Sequence, residues 1–120
     1  MNNVVISGRL TRDAQIRNAK NGNPFATFTV AVPDTWNREK TYFINCKAFG
    51  NVVANISKYT GKGKRVNVMG SLETREYKKR DGSKGIATEV NVEIIDFIDF
   101  KDAIDDTPDQ DQEEWGDDLF

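Results

Sequence analysis

The chain has 120 residues, 38% hydrophobic and 30% charged, enough for one domain with a modest core. It has no histidine and a single cysteine, Cys46, which excludes His-based triads and general bases, a Cys-based zinc site and an internal disulfide framework. The net charge of −2 hides a split: residues 1–101 carry 17 Lys and Arg against 10 Asp and Glu, net +7, and residues 102–120 carry 9 acids and no base.

A basic body suits a polyanion, and an acidic end must serve something else. No run of about 18 apolar residues exists, so no transmembrane helix is expected. The opening Met1-Asn2-Asn3-Val4-Val5 lacks the basic-then-apolar pattern of a secretory signal. The expected setting is a reducing cytoplasm.

Val4 to Leu10 reads as a first strand, bent or bulged at Gly8. Lys20-Asn21-Gly22-Asn23 is a turn signal. From Pro24 to Val32 the residues alternate, with Ala26, Phe28, Val30 and Val32 on one face and Phe25, Thr27, Thr29 and Ala31 on the other. Pro33 to Lys40 is a polar loop that contains Trp36. Thr41 to Phe49 alternates again. Tyr42, Ile44, Cys46 and Ala48 suit a core, which places Phe43, Asn45, Lys47 and Phe49 together on the opposite face. An ordinary solvent face has no reason to carry two phenylalanines. Asn51 to Thr60 is the helix candidate, with Val52, Val53, Ile56 and Tyr59 at helical spacing, Asn51 as its cap and Gly61-Lys62-Gly63 as its end. Arg65 to Leu72 is a strand with Val66, Val68 and Leu72 on one face, and Gly70 breaks the run. Thr74 to Lys84 is polar and basic, with a hairpin turn at Asp81-Gly82. Ile86 to Phe100 is a long closing strand with Ile86, Thr88, Val90, Val92 and Ile94 on one face.

The acidic end up to Glu114 has little to bury, so disorder is expected. Its tip, Trp115 to Phe120, combines three large apolar side chains with two carboxylates. That suits a docking motif in which Phe120 enters an apolar pocket and Asp117 and Asp118 meet basic side chains, with Trp115 and Leu119 adding apolar contact.

Three strands, a helix and two strands predict a mainly-β domain over residues 1–101, a five-stranded OB-fold barrel, followed by a disordered tail over 102–120. From pattern alone an SH3-like barrel or a ferredoxin-like fold stays open. Aromatic rings interleaved with cations suit single-stranded nucleic acid, whose unpaired bases stack on rings while Lys and Arg follow the phosphates. The expected stacking residues are Trp36, Phe43, Phe49 and Tyr77. The expected phosphate contacts are Arg9, Lys47, Lys62, Lys64, Arg75, Lys78, Lys79 and Arg80.

Several segments carry a family resemblance: Val4-Val5-Ile6-Ser7-Gly8-Arg9-Leu10 with Thr11-Arg12-Asp13, Asn21-Gly22 before Phe25 to Val32, Phe43 to Gly50, Thr74-Arg75-Glu76-Tyr77, Thr88-Glu89-Val90 and Asp117-Asp118-Leu119-Phe120. In order and spacing the chain resembles the bacterial and phage single-stranded DNA-binding proteins. The resemblance implies an OB fold, a homotetramer, cooperative binding of single-stranded DNA with little sequence preference, and no catalysis. It also implies recruitment of DNA-metabolism proteins by the acidic tip. No metal, cofactor, small-molecule substrate or membrane is expected. The sequence departs from the family in three ways: the tip lacks a proline before Phe120, the linker over about 102–113 is short, and Phe43 and Tyr77 stand where many relatives have tryptophan. The short linker points to a phage or plasmid version.

Three other readings compete. An RNA-binding OB module uses the same stacking and phosphate contacts and differs in 2′-hydroxyl recognition. A metal-dependent nuclease needs clustered carboxylates near the groove, and the body's acids are scattered in sequence. In an acidic adaptor, the tail would be the whole function. The tail's charge of −9 against the body's +7 also suggests that it competes with DNA for the basic groove.

Overall fold

The computed structural model describes residues 1–100. The expected tail and its docking residues Trp115, Asp117, Asp118, Leu119 and Phe120 lie outside the described residues. Six strands and one helix follow in the order β1 (Val4–Leu10), β2 (Gln15–Asn18), β3 (Pro24–Pro33), β4 (Thr41–Phe49), α1 (Val52–Tyr59), β5 (Arg65–Lys78) and β6 (Lys84–Phe97).

β1, β5, β6, β4 and β3 are neighbours in that order, and β1 returns to β3 through Arg9↔Ala31 and Leu10↔Val30, which closes a five-stranded ring. All pairs in the ring are antiparallel except β4 with β6, which run parallel at Cys46↔Val90 and Lys47↔Asn91. β2 continues the line of β1 after a break and pairs with β3 alone within the sheet. This topology, with the helix between the third and fourth strands of the ring, is the OB architecture and excludes the two alternatives left open above.

Alternation decides what fills the barrel. Ala26, Phe28 and Val30 from β3 and Cys46 and Ala48 from β4 are buried, as their periodicity predicts. Val66 and Val68 from β5 and Val90 and Val92 from β6 complete the wall, and Leu10, Val53 and Ile56 fill the remaining space. The register of β1 with β5 runs through Gly8 without a shift, so no bulge interrupts the strand, and the glycine serves a close approach instead: a Cβ there would overlap the carbonyl oxygen of Ala31, so β1 could not reach β3 to close the ring.

Several expectations are corrected. Tyr42 was expected on the core face of β4 and is exposed, with its hydroxyl donating to Asp34. Leu72 and Ile94 were expected on the inner face and are exposed. Between Met69↔Ile94 and Gly70↔Val92 the register skips Glu93, and this bulge reverses the alternation, so that Ile95 and Phe97 pack on the core instead. Leu72 lies past the bulge, where β5 and β6 leave the barrel as a hairpin, and Ile86 is exposed for the same reason. Asn51 makes no side-chain capping bond and already has helical dihedrals; the first turn is closed by the Val53 N–H donating to the Gly50 carbonyl. The strand assignments also shift. β2 is short and mostly exposed, so periodicity does not reveal it, and β5 runs on through the polar stretch to Lys78.

The turns at residues 19–23 and 79–83 are built alike. Gly22 N–H donates to Ala19 and Gly82 N–H to Lys79, with both glycines at positive φ. The side chains of Asn21 and Asp81 accept from the N–H two residues on.

Candidate nucleic-acid interface

The outward face of β3 and β4 is assembled by register. Phe49 stands opposite Phe25, Lys47 opposite Thr27, Asn45 opposite Thr29 and Phe43 opposite Ala31. Phe43 and Phe49 are six residues apart on one strand face, about 20 Å, which leaves room for several unpaired bases between them. The Phe49 ring packs on Phe25 with centroids 5.7 Å apart, and the Lys47 ammonium lies 5.7 Å from the Phe25 ring. The Thr29 hydroxyl donates to the Asn45 carboxamide oxygen at 2.9 Å.

The pairing Lys47↔Asn91 carries this face onto β6, and Ser71↔Asn91, Glu73↔Glu89, Arg75↔Ala87 and Tyr77↔Gly85 carry it along the β5–β6 hairpin. Tyr77 therefore shares a sheet face with Phe43 and Phe49, as pleat geometry requires. Its ring occupies the space that a side chain at position 85 would fill, so Gly85 acts as its seat. Phe43 is 65% exposed, Phe49 49% and Tyr77 43%, which is unusual for rings of a small domain.

Trp36 sits in the β3–β4 loop, at the Phe43 end of the face, and is 92% exposed. Asp34 orders this loop. Its carboxylate accepts the Tyr42 hydroxyl at 2.7 Å and the backbone N–H groups of Trp36 at 2.9 Å and Asn37 at 2.7 Å. Those bonds, with Tyr42 the strongest, hold the Asp34 carboxyl below its ordinary range, and the same bond raises the Tyr42 phenol. A depressed carboxyl contributes order above its ordinary pKa of about 4 and loses it as pH falls through the lowered value. In a Trp115→Phe variant, Trp36 anisotropy should therefore drop below about pH 4, and Tyr42→Phe should move that transition to higher pH. An unchanged transition in Tyr42→Phe would mean that the hydroxyl does not order the loop.

The expected cations divide into three groups. Lys47 and Arg75 lie on the aromatic face, and both meet Glu89: Arg75 Nε lies 3.1 Å and Lys47 Nζ 3.6 Å from Glu89 Oε1. Lys78, Lys79 and Arg80 are exposed at the hairpin tip, where Lys78 faces Lys84 directly across the strands. Like charges so placed repel unless an anion lies between or beside them. Arg9, Lys62 and Lys64 gather near the Gly63 turn, about two strand spacings, or ~10 Å, from Phe43. Arg9 donates to the Gly63 carbonyl and lies 3.7 Å from Asp99, and the Lys62 N–H donates to Asp13.

Sequence reasoning missed Phe25, Lys84 and Arg12. Phe25 shows its signal in the alternation, on the side of Thr27 and Thr29, but its partner Phe49 is set by cross-strand register. Arg12 lines a depression of about 90 Å³ with Thr27, Thr29, Asn45 and Glu89. Cys46 also borders it, but burial, then the Glu89 charge, pushes its thiol up to about 12, so it is not nucleophilic at neutral pH. Among the described residues no three His, Cys, Asp or Glu side chains are grouped to hold a metal ion. No helix among them is long and apolar enough to cross a membrane.

A closed OB barrel whose exposed rings and cations share one sheet face has the features of the nucleic-acid-binding members of that fold. Residues 1–98 match the model of the single-strand binding protein family, and the chain belongs to that family. It is 41% identical over 100 residues to the single-stranded DNA-binding protein of Clostridium perfringens (strain 13 / Type A), covering 82% of this chain and 67% of that protein. It is 41% identical over 116 residues to the single-stranded DNA-binding protein of Staphylococcus epidermidis, covering 93% and 87%. Identity to single-stranded DNA-binding protein A of Bacillus subtilis is 36% over 107 residues, covering 86% and 62%.

Proposed function

We propose that the chain binds single-stranded DNA with little sequence preference and coats it during replication, recombination and repair, without catalysis. The observation that carries this reading is the placement of Phe43, Phe49 and Tyr77 on one outward face with Lys47 and Arg75 between them. Rings stack on any base, which gives affinity without sequence readout, and cations track the backbone. Duplex DNA hides its base faces and is bound less well. Trp36 extends the stacking surface, and the hairpin-tip cations Lys78, Lys79 and Arg80 hold phosphates beyond Tyr77. Arg9, Lys62 and Lys64 serve a strand that continues past Phe43. The acidic tip at Trp115, Asp117, Asp118, Leu119 and Phe120 recruits DNA-metabolism proteins, and the protein works in the cytoplasm, on the nucleoid.

A homotetramer is part of the reading. Met69 stands opposite Val5 on one side and Ile94 on the other, and all three are exposed on the outer face of the barrel. Such a stripe suits a second copy of the chain. Light scattering should give four chains per particle, and a monomer would remove this part of the proposal.

Binding is tested by anisotropy of labelled oligo-dT, duplex DNA and oligo-U at several salt concentrations. Tight oligo-dT binding that weakens with salt, with far weaker duplex binding, supports the proposal. Equal affinity for oligo-U would move the reading to RNA. No binding to any of them would leave the adaptor role of the tail.

A further inference from the structure

A carboxylate lies at the middle of the face proposed to bind a polyanion. Glu89 is on β6, its side chain is 15% exposed, and both cations of the aromatic face are turned to it. Arg75 Nε donates to it at 3.1 Å and Lys47 Nζ lies 3.6 Å from the same oxygen. Glu73 stands directly opposite, and its own carboxylate accepts the Asn91 amide at 2.9 Å. Two acids facing each other across a ladder repel, so the pair of cations is needed to hold this arrangement.

We propose that Glu89 is the groove's own counter-anion: it holds Lys47 and Arg75 in the free protein, and single-stranded DNA must take both cations from it. This rests on the single-strand-binding reading. When a phosphate replaces the carboxylate, the two positive charges delivered to DNA are offset by one negative charge that stays behind. The face therefore neutralises about one phosphate fewer than its cations suggest. The stacking rings then supply a larger share of the affinity, and binding is less salt-dependent and more readily reversed. Glu89 acts through Lys47 and Arg75 and is a positioning residue.

Glu89→Gln keeps the shape and an oxygen that accepts from Arg75 but removes the charge. Oligo-dT binding at low salt should tighten about fivefold, the scale of a partly exposed ion pair. The slope of log affinity against log salt should steepen by about 0.7, the value for one more phosphate neutralised on a single strand. Glu76→Gln makes the same change in net charge on the other face of the hairpin, opposite Ile86, and should have a clearly smaller effect. Unchanged or weaker binding by Glu89→Gln, or an equal gain in Glu76→Gln, overturns the proposal.

A second measurement needs no variant. In nitrogen-15 spectra of the wild-type protein, the Arg75 Nε–H resonance should shift when oligo-dT is added to saturation, as its partner changes from carboxylate to phosphate. A resonance that stays in place at saturation means the pair persists and overturns the proposal. Failure of the wild-type protein to bind oligo-dT would instead overturn the underlying reading.

Discussion

Phe49→Ala is expected to weaken oligo-dT binding by about 1–3 kcal/mol, roughly five- to 150-fold. The ring lies against Phe25 on the sheet and is half exposed, so a base stacked on it meets a surface that is already fixed. Little ordering entropy is then lost on binding. Phe43→Ala and Tyr77→Ala should each cost a similar amount, since both rings are exposed on the same face. All three rings are exposed to water rather than packed in the core, so their loss should leave the melting temperature nearly unchanged. Phe49→Leu separates stacking from mere apolar bulk: leucine fills similar space without a π-face and should recover little of the affinity. The check is a set of oligo-dT isotherms at one salt concentration, with melting curves beside them. Near-wild-type binding by all three alanine variants would remove the stacking face from the account.

Gly70→Ala is expected to destabilise the fold by about 4 kcal/mol or more. Gly70 is buried at the β5–β6 bulge, and a methyl there would overlap the Asn91 carbonyl and crowd the Val92 Cα. These are backbone atoms of the longest ladder in the barrel, so no side-chain rotation relieves the overlap. The bulge would have to open, and Ile95 and Phe97 would lose the phase that turns them toward the core. For a domain of this size the melting temperature should fall by roughly 16–30 °C. Gly63→Ala is the comparison. Gly63 has φ of +81° but no neighbour that an added Cβ would meet, so its cost is that of the left-handed backbone alone, about 1–2 kcal/mol. Circular dichroism melts at matched protein concentration decide. A Gly70→Ala variant that melts with Gly63→Ala would show that the bulge tolerates a side chain.

The sequence made much of this fold readable where two faces differ in character. On β4, the split of Cys46 and Ala48 from Phe43 and Phe49 matches the structure, which buries the first pair and exposes the second, while Tyr42, expected with the first pair, is exposed at the strand's start. The same reading fails on β6 past Val92, because a one-residue bulge at Glu93 leaves no local mark and reverses the period. Along the outer hairpin both faces meet water, so Leu72 and Ile86 cannot be placed by hydrophobic pattern. Phe43, Phe49 and Lys47 share a face by strand period alone. The union of that face with Arg75 and Tyr77 required the parallel β4–β6 pair, a contact between segments more than forty residues apart. Glu89 was unreadable for the same reason. A lone acid on a strand looks like a solvent group until Lys47 and Arg75 arrive from two other strands.

The claim that the outer face of β3, β4 and the β5–β6 hairpin is the single-strand-binding surface can be read directly by photo-crosslinking. Oligo-dT is irradiated in complex with the wild-type protein, and the linked peptides are mapped by mass spectrometry. The account predicts adducts at Phe43, Phe49 and Tyr77, with Trp36 at the end of the path. Adducts confined to the opposite surface around Val5, Met69 and Ile94, with none on those rings, would contradict it.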